Sequence, residues 1–249
     1  MKAAAFEVEP CATLDAALAA TRRGARVLAG GQSLGPMLNL RVARPGALVT
    51  VARLADLNGA SEDAEFVTLG AAVTHAAIED GRTPDLAGGV LRRIAGGIAY
   101  RAVRNRGTIG GSLCHADPAA DWVTTLTALD ASLIIAGVGG RREARVQDFV
   151  RGVYQTTLAA DEIVCAIRIP KTQGRFGYYK FCRKPGEFAH AMAAVLVEKT
   201  RRRAAIGATG GAPLLLEGEA VSPQRLRGEG QALAAVALAR ALLEAGAEV

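Results

Sequence analysis

Two short stretches carry residue types that do chemistry through the backbone. Ala29-Gly30-Gly31-Gln32-Ser33-Leu34 leaves a short apolar run, Val27-Leu28, and Thr108-Ile109-Gly110-Gly111-Ser112 sits near the middle of the chain. Each sets paired glycines beside small hydroxyl or amide side chains. A glycine lets the backbone approach a ligand closely and adopt positive φ, so that its amides turn outward toward an anion. The second stretch is followed by Asp121 just before an apolar run opening Trp122-Val123, which places a helix start nearby. Such loops hold a diphosphate. A Gly-Gly pair by itself is most often a tight turn, but two together point to one long ligand.

Other chemistries fit less well. Gly31-Gln32-Ser33-Leu34-Gly35 formally matches a nucleophile elbow, yet Pro36 follows where a long helix is required, and no Asp-then-His pair stands in the right order. Neither G-x-x-x-x-G-K-[ST] nor G-x-G-x-x-G occurs. His115, beside Asp117, is a candidate general base, but a polar-loop histidine is more often a hydrogen-bonding spacer, and that reading ranks first. Cys11, Cys114, Cys165 and Cys182 form no C-x-x-C pair, and His75, His115 and His190 lack metal-ligand spacing. No metal or cluster is expected on this chain, and reactivity is expected to belong to a bound cofactor.

The bulk composition narrows the setting. The net charge is +6, but Lys and Arg are scattered apart from Arg201-Arg202-Arg203, and aromatics are only 4%, which argues against nucleic acid. Widely spaced cysteines without a secretion signal fit a reducing cytoplasm. No apolar run reaches the ~18 residues of a membrane span.

The elements that must position the two stretches follow from periodicity and capping. Thr13 to Arg23 reads as an amphipathic helix with Thr13 as N-cap and Gly24 at its end. Arg26 to Ala29 and Ala47 to Val51 read as strands around a helical piece from Met37 to Arg41, a β-α-β-like unit. Phe66 to Leu69 predicts a strand, Thr74 to Asp80 a short helix, Leu86 to Tyr100 a longer one, and Trp122 to Leu129 another. Leu133 to Ala136 and Ile163 to Ile169 predict strands, the latter stopped by Pro170. Pro170 to Gly177 reads as a linker. Tyr178 to Arg183, Ala193 to Glu198 and Ala204 to Ala208 predict three strands of a separate sheet, and Gln231 to Ala245 a helix.

These motifs resemble a known family. Ala29 to Leu34, Arg104-Asn105-Arg106-Gly107-Thr108-Ile109-Gly110-Gly111-Ser112, and His115-Ala116-Asp117-Pro118 with Asp121 are similar to the FAD-binding medium subunit of molybdenum hydroxylases, the family of carbon monoxide dehydrogenase and xanthine dehydrogenase flavoproteins. The likeness continues through Ile167-Arg168-Ile169-Pro170 and Lys180-Phe181-Cys182-Arg183-Lys184-Pro185-Gly186-Glu187-Phe188-Ala189. It implies an α+β protein: a two-subdomain PCMH-type FAD-binding fold, residues 1–55 and 56–172, then a small C-terminal α+β domain, 173–249, with a three-stranded sheet. Ser112 stands where the family often has Asn or Asp, Glu187 where Asp is usual, and the C-terminal region is short for the family.

By matching positions, the resemblance implies non-covalent FAD held along Val27, Leu28, Ala29, Gly30, Gly31, Gln32, Ser33 and Leu34. Thr108, Ile109, Gly110, Gly111 and Ser112 would form a second cradle, with Asp121 making a polar contact. Ile98, Val164 and Lys180 match further contact positions, and Tyr178 is a candidate to lie against the isoalloxazine, with core packing as an equal rival. Molybdopterin and a [2Fe-2S] cluster are expected only in partners, a large and a small subunit, with NAD+, a quinone or oxygen as acceptor and a dimer of heterotrimers as assembly. The competing readings are a stand-alone FAD-dependent oxidoreductase and a non-enzymatic nucleotide-binding scaffold.

Overall fold

Short apolar strands alternating with short helices build three successive sheets and one two-stranded hairpin in this computed structural model, which describes residues 2–226 and 231–248. Met1 and Val249, the outer ends of the expected first and last domains, and residues 227–230 lie outside the described residues. The first sheet is parallel, ordered β1 (Glu7–Glu9), β3 (Ala47–Thr50), β2 (Arg26–Leu28), with α1 (Leu14–Arg22) and α2 (Leu34–Asn39) in its crossovers. Thr13 caps α1 by accepting from the Ala16 amide at 3.2 Å. Leu14, Ala17, Leu18 and Thr21 form the buried stripe of α1. Gly24, at φ +91°, ends the helix and turns the chain straight into β2.

The second sheet is antiparallel, ordered β4 (Ala60–Glu62), β5 (Phe66–Gly70), β10 (Ile163–Pro170), β6 (Ser132–Gly137), β7 (Gly140–Arg145). Between β5 and β6 run α4 (His75–Glu79), α5 (Val90–Gly96), α6 (Arg101–Arg104), α7 (Ile109–His115) and α8 (Asp121–Ala128). The remaining small elements are α3 (Ala55–Asn58), α9 (Val146–Phe149) and the hairpin β8 (Val150–Gly152) with β9 (Gln155–Thr156). The single helix expected over Leu86 to Tyr100 is instead α5 followed by a turn, because Gly96-Gly97 ends it and Ala99 takes a left-handed conformation at φ 45°. Pro170 is the last residue of β10 rather than a stop before it. A strand end tolerates the missing N–H, and the expected linker shrinks to the few residues before β11.

The third sheet holds the three expected strands, β11 (Arg175–Phe181), β12 (Ala191–Val197) and β13 (Arg202–Gly207), and adds an edge strand, β14 (Leu214–Glu217). Across one face lies α10 (Ala232–Glu244), burying Ala237, Leu238, Ala241 and Leu242. Every residue of α8 is buried. Trp122, Val123 and Leu126 face the core of the second sheet, while Ala128 packs with Ala194 and Ala205 of the third. Arg203, 1% exposed, reaches back from β13: its Nε donates to the Thr127 carbonyl at 3.1 Å and its Nη atoms to Glu217 and Gln147.

Candidate functional site

The ends of β2, the starts of α2 and α7, the 98–100 turn, Val164 of β10 and the 186–188 turn enclose one cleft of about 810 Å³, toward the upper end of the roughly 300–1,000 Å³ of small-molecule sites. Of the residues singled out from sequence, Val27 to Leu34, Ile98, Thr108, Gly110, Gly111, Ser112, Asp121, Val164 and Lys180 all line it. Two do not. Ile109 turns away from the cleft and is fully buried in the second sheet's core. Tyr178 lines an adjoining cavity instead of facing the cleft.

The two glycine segments touch. A Cβ on Gly30 would run into the Arg106 carbonyl, and one on Gly111 would lie 2.8 Å from Thr108 Oγ1 and 3.8 Å from the Ala29 Cβ. Their amides, however, differ. Gly31 takes φ +71°, and the N–H groups of Gly31, Gln32, Ser33 and Leu34 have no acceptor among the described residues. In the second segment the amides of 109–112 are used: Ile109 N donates to Val73 O, Gly110 N to Ala71 O, Gly111 N to Thr108 Oγ1 and Ser112 N to Thr108 O. The outward-turned amides expected of this stretch are therefore absent at 109–112, and its glycines lack positive φ, because it is the capped first turn of α7. Its glycines supply space. A Cβ on Gly110 would come within 2.5 Å of Ala71 Cβ. Ser33, the formal elbow residue, is exposed, is followed by a six-residue helix and bonds to no histidine among the described residues.

At another part of the cleft the charges are paired. Lys180 Nζ lies 2.9 Å from Asp121 Oδ1 and 3.1 Å from Oδ2, with the two side chains 10% and 6% exposed. Tyr178 donates its hydroxyl to the same carboxylate at 2.7 Å. Burial, then the Asp121 charge, holds the Tyr178 phenol well above its ordinary value. Asp121 and Lys180 thus meet the cleft as a buried ion pair, with the Tyr178 hydroxyl on the same carboxylate.

Sequence reasoning left out several lining residues. His75 is buried, and its Nδ1 accepts from Trp122 Nε1 at 3.0 Å. The sequence signal was a lone histidine inside an apolar helix start, which reads as core. Tyr100 and Phe188 flank the cleft and are strongly exposed. Cys114 also lines it, and burial pushes its thiol up to about 12. His115 stacks on Tyr154 with ring centroids 4.8 Å apart.

Burial first, and the Arg104 charge second, lower the His75 pKa to about 4. An unfolded chain takes up a proton near pH 6.5 that folded His75 refuses. Stability from this group is complete above pH 6.5 and drains away as the pH falls toward 4, by up to about 3 kcal/mol. Urea unfolding between pH 4 and 7 is expected to show this slope, and His75→Phe to flatten it.

Open amides on one wall and apolar Val27, Leu28, Ile98 and Val164 on others make a cleft suited to a long cofactor in a protein of α+β fold. Residues 4–172 match the family described as the FAD binding domain in molybdopterin dehydrogenase, and the chain belongs to this family. It is 34% identical over 229 residues to the nicotine 6-hydroxylase medium subunit of Paenarthrobacter nicotinovorans, covering 86% of this chain and 80% of that protein. It is 37% identical over 183 residues to the carbon monoxide dehydrogenase medium chain of Hydrogenophaga pseudoflava, covering 71% and 62%. Among solved structures, quinoline 2-oxidoreductase from Pseudomonas putida 86 superposes with a TM-score of 0.89 at 28% identity over 98% of both chains. Carbon monoxide dehydrogenase from Hydrogenophaga pseudoflava superposes with a TM-score of 0.87 at 29% identity over 99% of both. The chain is an FAD-binding oxidoreductase subunit of the molybdenum hydroxylase family.

Proposed function

We propose that this chain is the electron-transfer medium subunit of a molybdenum-containing hydroxylase or dehydrogenase. It accepts electrons from a [2Fe-2S] small subunit and delivers them to NAD+, a quinone or oxygen, while substrate is hydroxylated on a molybdopterin-bearing large subunit. The observation that carries the site assignment is the junction of Gly30 with Arg106, which brings both glycine segments to one cleft. Gly31 to Leu34 hold the diphosphate through their open amides, Thr108 and Ser112 contribute hydroxyls, and Val27, Leu28, Ile98 and Val164 cover apolar ring faces. Bound FAD supplies the two-electron to one-electron exchange; the chain supplies orientation and exclusion of water. Residues 1–55, 56–172 and 173–249 are the working division, each built around one of the three sheets.

The medium-subunit and medium-chain names of the relatives support partnership with a large and a small subunit; the dimer of heterotrimers is part of the proposal. Among the described residues, no helix is long and apolar enough to cross a membrane; the cytoplasmic setting is part of the proposal and rests on the scattered cysteines. Co-purification from native cells is expected to yield molybdenum, iron and flavin together, with flavin bleached by substrate only when the partners are present. Substrate-dependent bleaching by the isolated subunit would favour a stand-alone oxidoreductase instead.

A further inference from the structure

His75 is 5% exposed and held from several sides. Its backbone N–H donates to the Gly107 carbonyl at 2.9 Å, and the Thr74–Thr108 bridge ties the start of α4 to the start of α7. The imidazole lies against Gly107, where a Cβ would come within 2.9 Å of its Cδ2 and 3.0 Å of its Nε2. Trp122 fixes the ring's chemistry. An indole N–H only donates, so the His75 Nδ1 that receives it at 3.0 Å must present a lone pair. A neutral imidazole carries one proton, which therefore sits on Nε2. Burial and the Arg104 guanidinium keep the ring neutral above pH 4.

That Nε2–H has no acceptor among the described residues, and His75 is one of the residues that line the cleft, its ring beside Gly107. A side chain buried this deeply, with one nitrogen anchored and the other offered to a ligand cleft, is a preset donor. We propose that His75 gives a hydrogen bond from Nε2–H to an acceptor atom of the FAD bound in this cleft, and that Trp122 is the positioning residue that selects the tautomer able to give it. The inference rests on the assignment of this cleft to FAD.

The test uses the full chain labelled with ¹⁵N-histidine, freed of flavin and titrated with oxidised FAD, with the His75 signals assigned by their loss in His75→Gln. The apo protein should show a protonated Nε2 and a bare Nδ1. FAD should shift the Nε2–H proton downfield and slow its exchange with water. His75→Phe should weaken FAD binding about tenfold, the scale of one lost hydrogen bond, and His75→Gln, which offers an amide N–H, should recover most of it. Trp122→Phe should populate the Nδ1–H tautomer and weaken binding without touching the cleft. Failure of the wild-type chain to take up FAD would overturn both the cleft assignment and this inference. FAD binding that leaves the Nε2–H shift and exchange unmoved, or a His75→Phe variant that binds as tightly as wild type, would overturn the role of His75 alone.

Discussion

Gly30→Val is expected to yield a colourless protein. The new Cβ would land on the Arg106 carbonyl, a backbone atom that cannot rotate aside, so the β2–α2 turn and the segment before Thr108 must separate. Overpacking of this kind costs about 1–3 kcal/mol of stability, which a buried-core protein survives. Separation of the two segments opens the wall of the cleft where the free amides of Gly31 to Leu34 stand, and flavin is lost. Gly111→Val is the informative contrast. Its Cβ would meet the Thr108 hydroxyl at 2.8 Å, a side-chain atom rather than backbone, which can give way only by loosening the cap of α7, and Gly111 lacks the positive φ that would forbid valine. This variant should retain part of its flavin. Absorbance near 450 nm and flavin-to-protein ratio measure both. A yellow Gly30→Val protein with full stoichiometry would remove the junction as the basis of the site.

Asp121→Ala is expected to give the largest loss of stability of any single change at the cleft, about 3–5 kcal/mol, the scale for stripping one partner from a buried pair. The ammonium of Lys180, only 10% exposed, would keep its charge with no carboxylate beside it, and the Tyr178 hydroxyl would lose its acceptor. Tyr178→Phe removes one donor while Lys180 still satisfies the carboxylate, and should cost only about 0.5–1.5 kcal/mol. Pairing Asp121→Leu with Lys180→Met removes both charges and should restore most of the loss. Urea denaturation with and without saturating FAD reads all three. If Asp121→Ala leaves stability intact and lowers only flavin affinity, the carboxylate is a direct ligand and the pairing with Lys180 is incidental.

The sequence exposed the site's location better than its workings. Glycine pairs flagged both segments because close approach leaves few residue choices, and Thr13 and Gly24 marked the limits of α1 because caps are local. What escaped were facts settled by distant partners. The amides of 108–112 look free in sequence, yet Val73 and Ala71, brought alongside by β5, consume two of them. Asp121 and Lys180 look like separate ligand contacts until β11 carries one to the start of α8. Ile109 alternates with cleft residues along the chain, but helical geometry turns it inward. His75 carried no motif; its meaning came from Trp122, 47 residues later. The edge strand β14 was missed because Leu214-Leu215-Leu216 is too short to show a period.

The enclosure of α8 has a mechanical consequence. Its eight residues are walled in by the core of the second sheet on one side and by β12 and β13 on the other, so stripping away the C-terminal layer would uncover the face that carries Asp121, Thr124 and Ala128 and leave the Asp121 carboxylate without its buried partners. A protease able to nick the chain between Pro170 and Arg175 should leave two fragments that migrate together until denaturant is added, and heating should melt the molecule in a single step.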